Sequence, residues 1–458
     1  MADNKNWMND LWKELTKPPK WMKDGGKTSA SAKKESDKKN DGKKAEADAS
    51  KSPKKRQPPD WWSWSVSDGV PAKPKPKQKK SGTSAKKSIS APVKKSRGTA
   101  LSPLAQSQGD LGSASPLNPS DIQSQFRRHG YAPGVLKPFG LDVTKVEPFG
   151  PVLRLRTNKG LIALKKTDLS TKHVQFLYDA TLNLKKNNFT KYAPFLTTTD
   201  GLPYATIGGE AYYATRWLRG QEVNFHSLPQ VALTARTLAE FHEASRGWEP
   251  KGYRPSGLFD MVHRFADRRD ELIAWKQRAQ KKSRPDQVDM IFLKHADLYI
   301  KQCDQALSIL RKPEVRAHLL YEEDDPVLCH LDLTPYNMIY TTNHQVALID
   351  FDFSTFGPRT LDLAHVMRRA MQRQDWDEDV ARHALVNYNS VRMLTPAEYM
   401  ILYALFIFPH RFWRIAYQHY DVGHDPHHLG YFQLAESEEE NRQKFMTRFG
   451  RQVERMQR

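Results

Sequence analysis

The chain has 458 residues, 72 Lys+Arg against 52 Asp+Glu, a formal charge of +20, and two cysteines, Cys303 and Cys329. That length gives room for two or three domains with a real core, and two cysteines exclude a disulfide scaffold. The longest apolar run, Met400 to Phe408, is too short to span a bilayer and no signal-peptide pattern precedes it, so synthesis in a reducing cytoplasm without a transmembrane segment is expected.

The charge is uneven. Residues 1–125 hold 26 Lys+Arg and 13 Asp+Glu, so +13 of the +20 lies there. This stretch is Lys, Ser, Ala and Pro with little to bury, the composition of a disordered tail. Two aromatic islands interrupt it. Trp7, Met8, Leu11, Trp12 and Leu15 share one helical face, and Trp61, Trp62 and Trp64 cluster in "PPDWWSWSV". They read either as residual hydrophobicity in a tail or as short docking motifs for a protein partner or a surface. The tail lacks the Arg–aromatic interleaving of specific nucleic-acid recognition.

Order is expected from about Phe126. Residues 141–168 alternate apolar and polar with turns at "FGP" and "NKG", which predicts three antiparallel strands. A helix follows through "TKHVQFLYDATLNLKKNNF", then strands in "PFLTTTDGLPYAT" and "EAYYATRWLRG". From Leu228 the period is helical: 228–245, 256–278 and 287–310. Two short strands, "NMIYTT" and "QVALID", break the pattern, and helices resume at 360–373, 395–420 and 434–449. A small sheet-rich lobe thus precedes a larger helical one.

The chemistry gathers on the strand pair. "HLDLTPYN" supplies His330, Asp332 and Asn337, and "IDFD" supplies Asp350 and Asp352. An Asp on a loop can accept a proton from an attacking hydroxyl, while an Asn and a second Asp offer hard oxygens to Mg²⁺. Phosphoryl transfer needs that set and a cation on the phosphates. "GLIALKK" provides one: Lys165 and Ala163 share a strand face.

"CHLDLTPYNMIY", "VALIDFDFSTFGPRTLDLAHVMRR", "YYATRWLRGQEV" and "FIFPHRFWRIAY" resemble the aminoglycoside phosphotransferase and choline kinase superfamily. Within it they resemble the CotS-type spore-coat family. The resemblance covers about residues 126–458 and implies an α+β, two-lobed protein-kinase-like fold, with an N-lobe over 126–215 and a helical C-lobe over 216–458; the basic tail over 1–125 lies outside it. It implies an ATP- and Mg²⁺-dependent transfer to a small-molecule or sugar hydroxyl in spore-coat formation; the Trp islands and polycationic spacers of the tail suit spore-coat proteins as its partners. The alternative it leaves is a kinase-fold scaffold without turnover. In this pattern Asp332 is the base, Asn337 and Asp350 are metal ligands, and Lys165 holds the α/β-phosphates. The hinge backbone at Thr215, Arg216, Trp217 and Leu218 meets adenine, His330 orients the loop, and Asp362 braces it by hydrogen bonds; Asp352 reads as structural, with assistance to the metal as the alternative.

The chain departs from the family at three points. Leu331 replaces the usual glycine after the His. "EPFGPV" has one glycine, Gly150, beside Pro151, which has no N–H for a phosphate. The helix after Lys165 offers no Glu, and Asp179 is its one carboxylate. Elsewhere, His419, His424, His427 and His428 read as an exposed loop, "EEDD" (Glu322 to Asp325) as a solvated turn, and "SEEEN" (Ser437 to Asn441) as a helix N-terminus.

Overall fold

The computed structural model describes residues 119–457 apart from 424 and 426. Residues 1–118, including both Trp islands, lie outside them. The first described element, α1 (Pro119–Arg128), starts ahead of the expected boundary at Phe126. Ile122 and Phe126, four apart on one helical face, are buried in the core above the sheet.

That sheet is antiparallel. Strands β1 (Val143–Phe149), β2 (Val152–Thr157) and β3 (Gly160–Thr167) form the expected meander. β4 (Phe195–Leu196) and β5 (Ala205–Ile207) both pair with β6 (Glu210–Arg216), and the order is β1-β2-β3-β6-β4. Alternation decides its faces. Leu153, Leu155, Ile162 and Leu164 are buried in the core with Tyr131, Phe139 and Tyr212, so Ala163 and Lys165 face the other way. Tyr131 fastens the segment before the sheet: its hydroxyl lies 2.9 Å from the Pro151 carbonyl and 3.0 Å from that of Leu164. Helix α2 (Thr171–Lys186) follows β3, capped by Ser170.

The helical lobe comprises α3 (Leu228–Ser245), α4 (Met261–Gln280), α5 (Gln287–Leu310), α6 (Pro313–Asp324), α7 (Thr360–Gln372), α8 (Glu378–Asn389), α9 (Pro396–Ile407), α10 (His410–Tyr417) and α11 (His428–Arg455). Helices α6 and α8 lie outside the expected elements. The helix expected over 395–420 is two, because Pro409 has no N–H and α9 ends two residues before it. "SEEEN" is not a helix start but the middle of α11, where Glu438 pairs with Arg411 and Glu439 with Arg442. Between α6 and α7 run β8 (Val327–Cys329), β9 (Met338–Thr341), β10 (Val346–Leu348) and β11 (Thr355–Gly357). β9 and β10 form a hairpin, and β7 (Gly220–Glu222) adds to β9. Gly220 is required there, since a Cβ would stand 2.4 Å from the Tyr340 carbonyl oxygen.

Buried charges knot this lobe. Glu322 is not in a solvated turn: α6 runs on to Asp324, and Glu322 is 1% exposed. Burial of that carboxylate is offset by Arg359, whose Nε donates to Glu322 at 3.0 Å and whose Nη1 donates to Glu243 at 2.8 Å. Arg392 donates to both oxygens of buried Glu398. His318 sits 3.5 Å from Glu322 and 3.8 Å from Glu398. Burial works against its imidazolium, yet the two carboxylates outweigh it and lift its pKa to about 9.

A group with a raised folded pKa stabilises the fold fully below its unfolded value, near 6.5, and loses that contribution as pH rises through 9. Urea melts at pH 6.5 and 9.5 are expected to show a loss of up to about 3 kcal/mol that is absent in His318→Gln. Equal losses in both proteins would remove His318 from this role.

Candidate active site

The loop after β8 is held by one carboxylate. Asp362, in the first turn of α7, accepts the backbone N–H of His330 at 2.6 Å and that of Leu331 at 2.8 Å. Its third donor is the Nε2 of His242 on α3, at 3.2 Å, and the Tyr388 hydroxyl meets His242 Nδ1 at 2.9 Å. Burial keeps His242 below its ordinary pKa against the pull of Asp362, so a neutral ring donates at Nε2 and accepts at Nδ1. His330 supplies a second tie. Its Nε2 donates to the Ile349 carbonyl at 2.9 Å while Nδ1 accepts the Asp332 N–H at 3.3 Å. One imidazole thus links the residue before Asp350 to Asp332. Leu331 stands at φ +65°, the left-handed region in which an L-residue is strained and glycine is not. The two bonds from Asp362 hold the backbone in that conformation.

Asp332, 7% exposed, accepts the Asn337 side-chain amide at 2.7 Å. A one-turn 3₁₀ helix, Pro335–Asn337, brings Asn337 back over the loop. The hairpin sets the other side: Ile349 N–H donates to the Asn337 carbonyl at 3.0 Å, and Leu348 pairs with Met338. Asp350 therefore follows directly on a residue bonded to Asn337. Asp350 itself is at φ +62°, a tight turn out of the strand.

Lys165 crosses from β3 into this group. Its Nζ lies 2.6 Å from Asp350 Oδ1 and 2.9 Å from Asp352 Oδ2. The expectation of a lysine without a carboxylate partner is thus corrected. The partners come from "DFD", not from the following helix, where Asp179 instead accepts Gln175. The face of α2 near this region is aromatic, with Phe176 packed on Phe356 and Trp248. Burial opposes the Lys165 ammonium, but Asp350 and Asp352 outweigh it and hold its pKa above the usual lysine value. Burial drives the Asp352 carboxyl up; Lys165 opposes this and Asp350 adds to it. Tyr213, opposite Lys165 in the β3–β6 register, donates its hydroxyl to Asp352 at 2.6 Å.

The four hinge residues sit where β6 leaves the sheet. Arg216 N–H is taken by the Pro194 carbonyl at 2.8 Å and Trp217 N–H by that of Leu161 at 3.0 Å. Two of the four hinge N–H groups are thus already bonded within the protein. The Trp217 ring lies 5.0 Å from Phe149 at the β1–β2 turn, and the Arg154 guanidinium is 4.6 Å from Phe149 and 5.2 Å from Trp217. Gly150 has φ +55° in that turn.

Sequence reasoning passed over Tyr213, His242 and Tyr388. Tyr213 needs the strand register to be known. His242 carried a faint signal, a histidine on the apolar face formed by Val231, Leu238 and Phe241 of α3, all fully buried.

This geometry has relatives. An aminoglycoside phosphotransferase from Alicyclobacillus acidocaldarius subsp. acidocaldarius superposes with a TM-score of 0.66 at 32% identity, over 76% of this chain and all of that one. The AMP-bound spectinomycin phosphotransferase APH(9)-Ia shares the fold at a TM-score of 0.50 and 12% identity, over 70% of this chain and 95% of that one. Spore coat protein S of Bacillus subtilis (strain 168) is 24% identical over 275 residues, 59% of this chain and 77% of that protein. Residues 134–449 match the family described as spore coat putative kinase YutH, and the chain belongs to that family, with a kinase-like phosphotransferase fold.

Proposed function

We propose that this protein is an ATP- and Mg²⁺-dependent phosphotransferase acting on a small-molecule or sugar hydroxyl during spore-coat formation, with the lobes divided at residues 215 and 216. One observation carries the reading. Lys165 lies 185 positions from Asp350 in the chain, yet the two are in contact beside the hydrogen-bonded pair Asp332 and Asn337. The AMP in the spectinomycin phosphotransferase of the same fold supports a nucleotide here.

The donor set suits a hard cation. Asn337 commits its amide nitrogen to Asp332, which leaves its oxygen to join the Asp350 carboxylate, and oxygen ligands are what Mg²⁺ takes. When bound, Mg²⁺ supplies charge neutralisation at the phosphates. Lys165 leaves its two carboxylates to hold the α/β-phosphates. Asp332 orients the acceptor hydroxyl and receives its proton, and Thr215–Leu218 receive adenine. Positioning and preorganised charge provide most of the acceleration. A second reading, a coat scaffold of this fold without turnover, is favoured by Lys165 being neutralised within the protein and by Pro151 in the phosphate turn.

A thermal-shift titration separates the two. At a hundredfold excess over Kd, ATP with Mg²⁺ stabilises a binding protein by about 2.7 kcal/mol. An upward shift is expected in the wild type and is lost in Asp350→Ala. No shift in the wild type, or an equal one in both, would sink the phosphotransferase reading.

A further inference from the structure

In the protein-kinase fold a glutamate on the helix after the lysine strand pairs with that lysine and so completes the phosphate site. Helix α2 supplies none. Its one carboxylate, Asp179, accepts Gln175, and its Phe176 packs on Phe356 of β11. The two carboxylates that do reach Lys165 differ in setting. The Asp350 side chain is 31% exposed and is assigned to the metal. The Asp352 side chain is 12% exposed, and each of its oxygens has its own partner. Oδ2 lies 2.9 Å from Lys165 Nζ, and Oδ1 accepts the Tyr213 hydroxyl at 2.6 Å. Tyr213 is itself fixed. Its backbone pairs with that of Lys165 across β3 and β6, and its ring packs 5.4 Å from Phe195. The same ring stands 6.0 Å from the Lys165 ammonium, the outer limit of a cation–π contact.

We propose, on the assignment of Lys165 to the α/β-phosphates, that Asp352, braced by Tyr213, is the positioning carboxylate that aims Lys165 in place of a helix glutamate. Cross-strand partners put Lys165 and Tyr213 side by side on the cleft face, and the Tyr213 hydroxyl holds Asp352 beside the lysine. A hydrogen bond to a carboxylate is stronger than one between neutral groups, so Asp352 keeps its second oxygen toward the ammonium. Lysine is a point charge on a flexible four-carbon stem, and a fixed counter-charge limits the arc through which it swings. Asp352 also divides the lysine from the metal ligand. In the empty site one ammonium is shared between Asp350 and Asp352. With Asp352 neutralised, Asp350 becomes its one remaining partner of the two, and Mg²⁺ has to displace the lysine to reach that carboxylate. When nucleotide and metal enter, the hydrogen bonds of Lys165 pass to phosphate oxygens, while Asp352 stays where Tyr213 holds it and keeps its field on the ammonium. Tyr213 and Asp352 touch no reacting atom and act through Lys165.

Calorimetric titration of the full chain with Mg²⁺ and ATP, and separately with adenosine, tests this. Asp352→Asn is expected to weaken ATP binding by about 10–100-fold, the worth of a hydrogen bond to a charged group, and Tyr213→Phe by a smaller factor. Adenosine, which has no phosphate for Lys165, is expected to bind all three proteins alike. In a Lys165→Met background, Asp352→Asn is expected to weaken ATP binding no further, since its effect runs through the lysine. Wild-type protein that binds no ATP removes the phosphate assignment of Lys165 and this inference with it. Wild-type protein that binds ATP, with equal or tighter binding in Asp352→Asn and Tyr213→Phe, overturns this inference alone. An equal loss of adenosine binding, or a full loss of ATP affinity added to that of Lys165→Met, overturns it too. Should Lys165→Met not fold, Asp352→Glu, which restores the charge, is expected to recover part of the affinity, and affinity no better than that of Asp352→Asn overturns it equally.

Discussion

Asp332→Asn is expected to lower phosphate transfer from ATP by about 10²–10⁴-fold, the usual contribution of a positioned acid or base, while nucleotide binding and melting temperature stay near wild type. The amide has the shape of the carboxylate. Its oxygen can still accept the Asn337 side chain, so the 2.7 Å bond within the loop persists. What it lacks is the basicity to take a proton and the charge to align a hydroxyl. Transfer of radiolabelled γ-phosphate to a panel of polyols, amino alcohols and sugars measures the rate, and a thermal-shift titration with ATP and Mg²⁺ measures binding. A variant that transfers as fast as the wild type would remove Asp332 from the role of base. The companion measurement guards the conclusion, because a loss of rate with loss of ATP binding would report a collapsed loop.

Arg359→Met is expected to cost about 3–5 kcal/mol, the penalty for leaving buried partners uncompensated. For a body of this size that is a fall in Tm of about 4–7 °C. Arg359 is 2% exposed and reaches three carboxylates, Glu322, Glu243 and, at 3.7 Å, Glu398. Methionine fills much of the volume but leaves Glu322 and Glu243 without their strongest donor. The loss is therefore mainly electrostatic, and Glu322→Gln in the same chain is expected to return part of it. If the double variant melts no higher than Arg359→Met alone, packing and not charge governs the site. Arg359 also precedes the α7 turn that carries Asp362, so displacement there loosens the two bonds that hold His330 and Leu331. Chemical denaturation and residual transfer activity should fall together.

Much of this was legible in the residues. The alternation in "VLRLRT" and "GLIALKK" placed Lys165 on the cleft face, because a strand has a period of two whatever it packs against. The α5 helix, Gln287–Leu310, runs over the residues whose apolar period announced it. The inventory of Asp332, Asn337 and Asp350 was readable because hairpin strands keep nearby residues nearby. The Leu331 departure was visible too, although only the backbone angle of +65° shows that the position demands what glycine offers.

The residues that misled are charged ones. Glu322, His419 and His428, all buried, looked like surface in sequence, where polar residues are mostly exposed, and "SEEEN" looked like a helix start. Lys165 looked unpartnered because its neighbours in the chain offer no glutamate. Periodicity is local, set by backbone geometry over a few residues, and so the sequence by itself determined where most of the helices and strands form, though not α6, α8 or the break at Pro409. Whether a charge is buried depends on a counter-charge, and here those arrive from far away: Asp350 for Lys165, Glu243 and Glu322 for Arg359. Burying a charge is costly unless it is paired, and only the tertiary structure brings the pairs together.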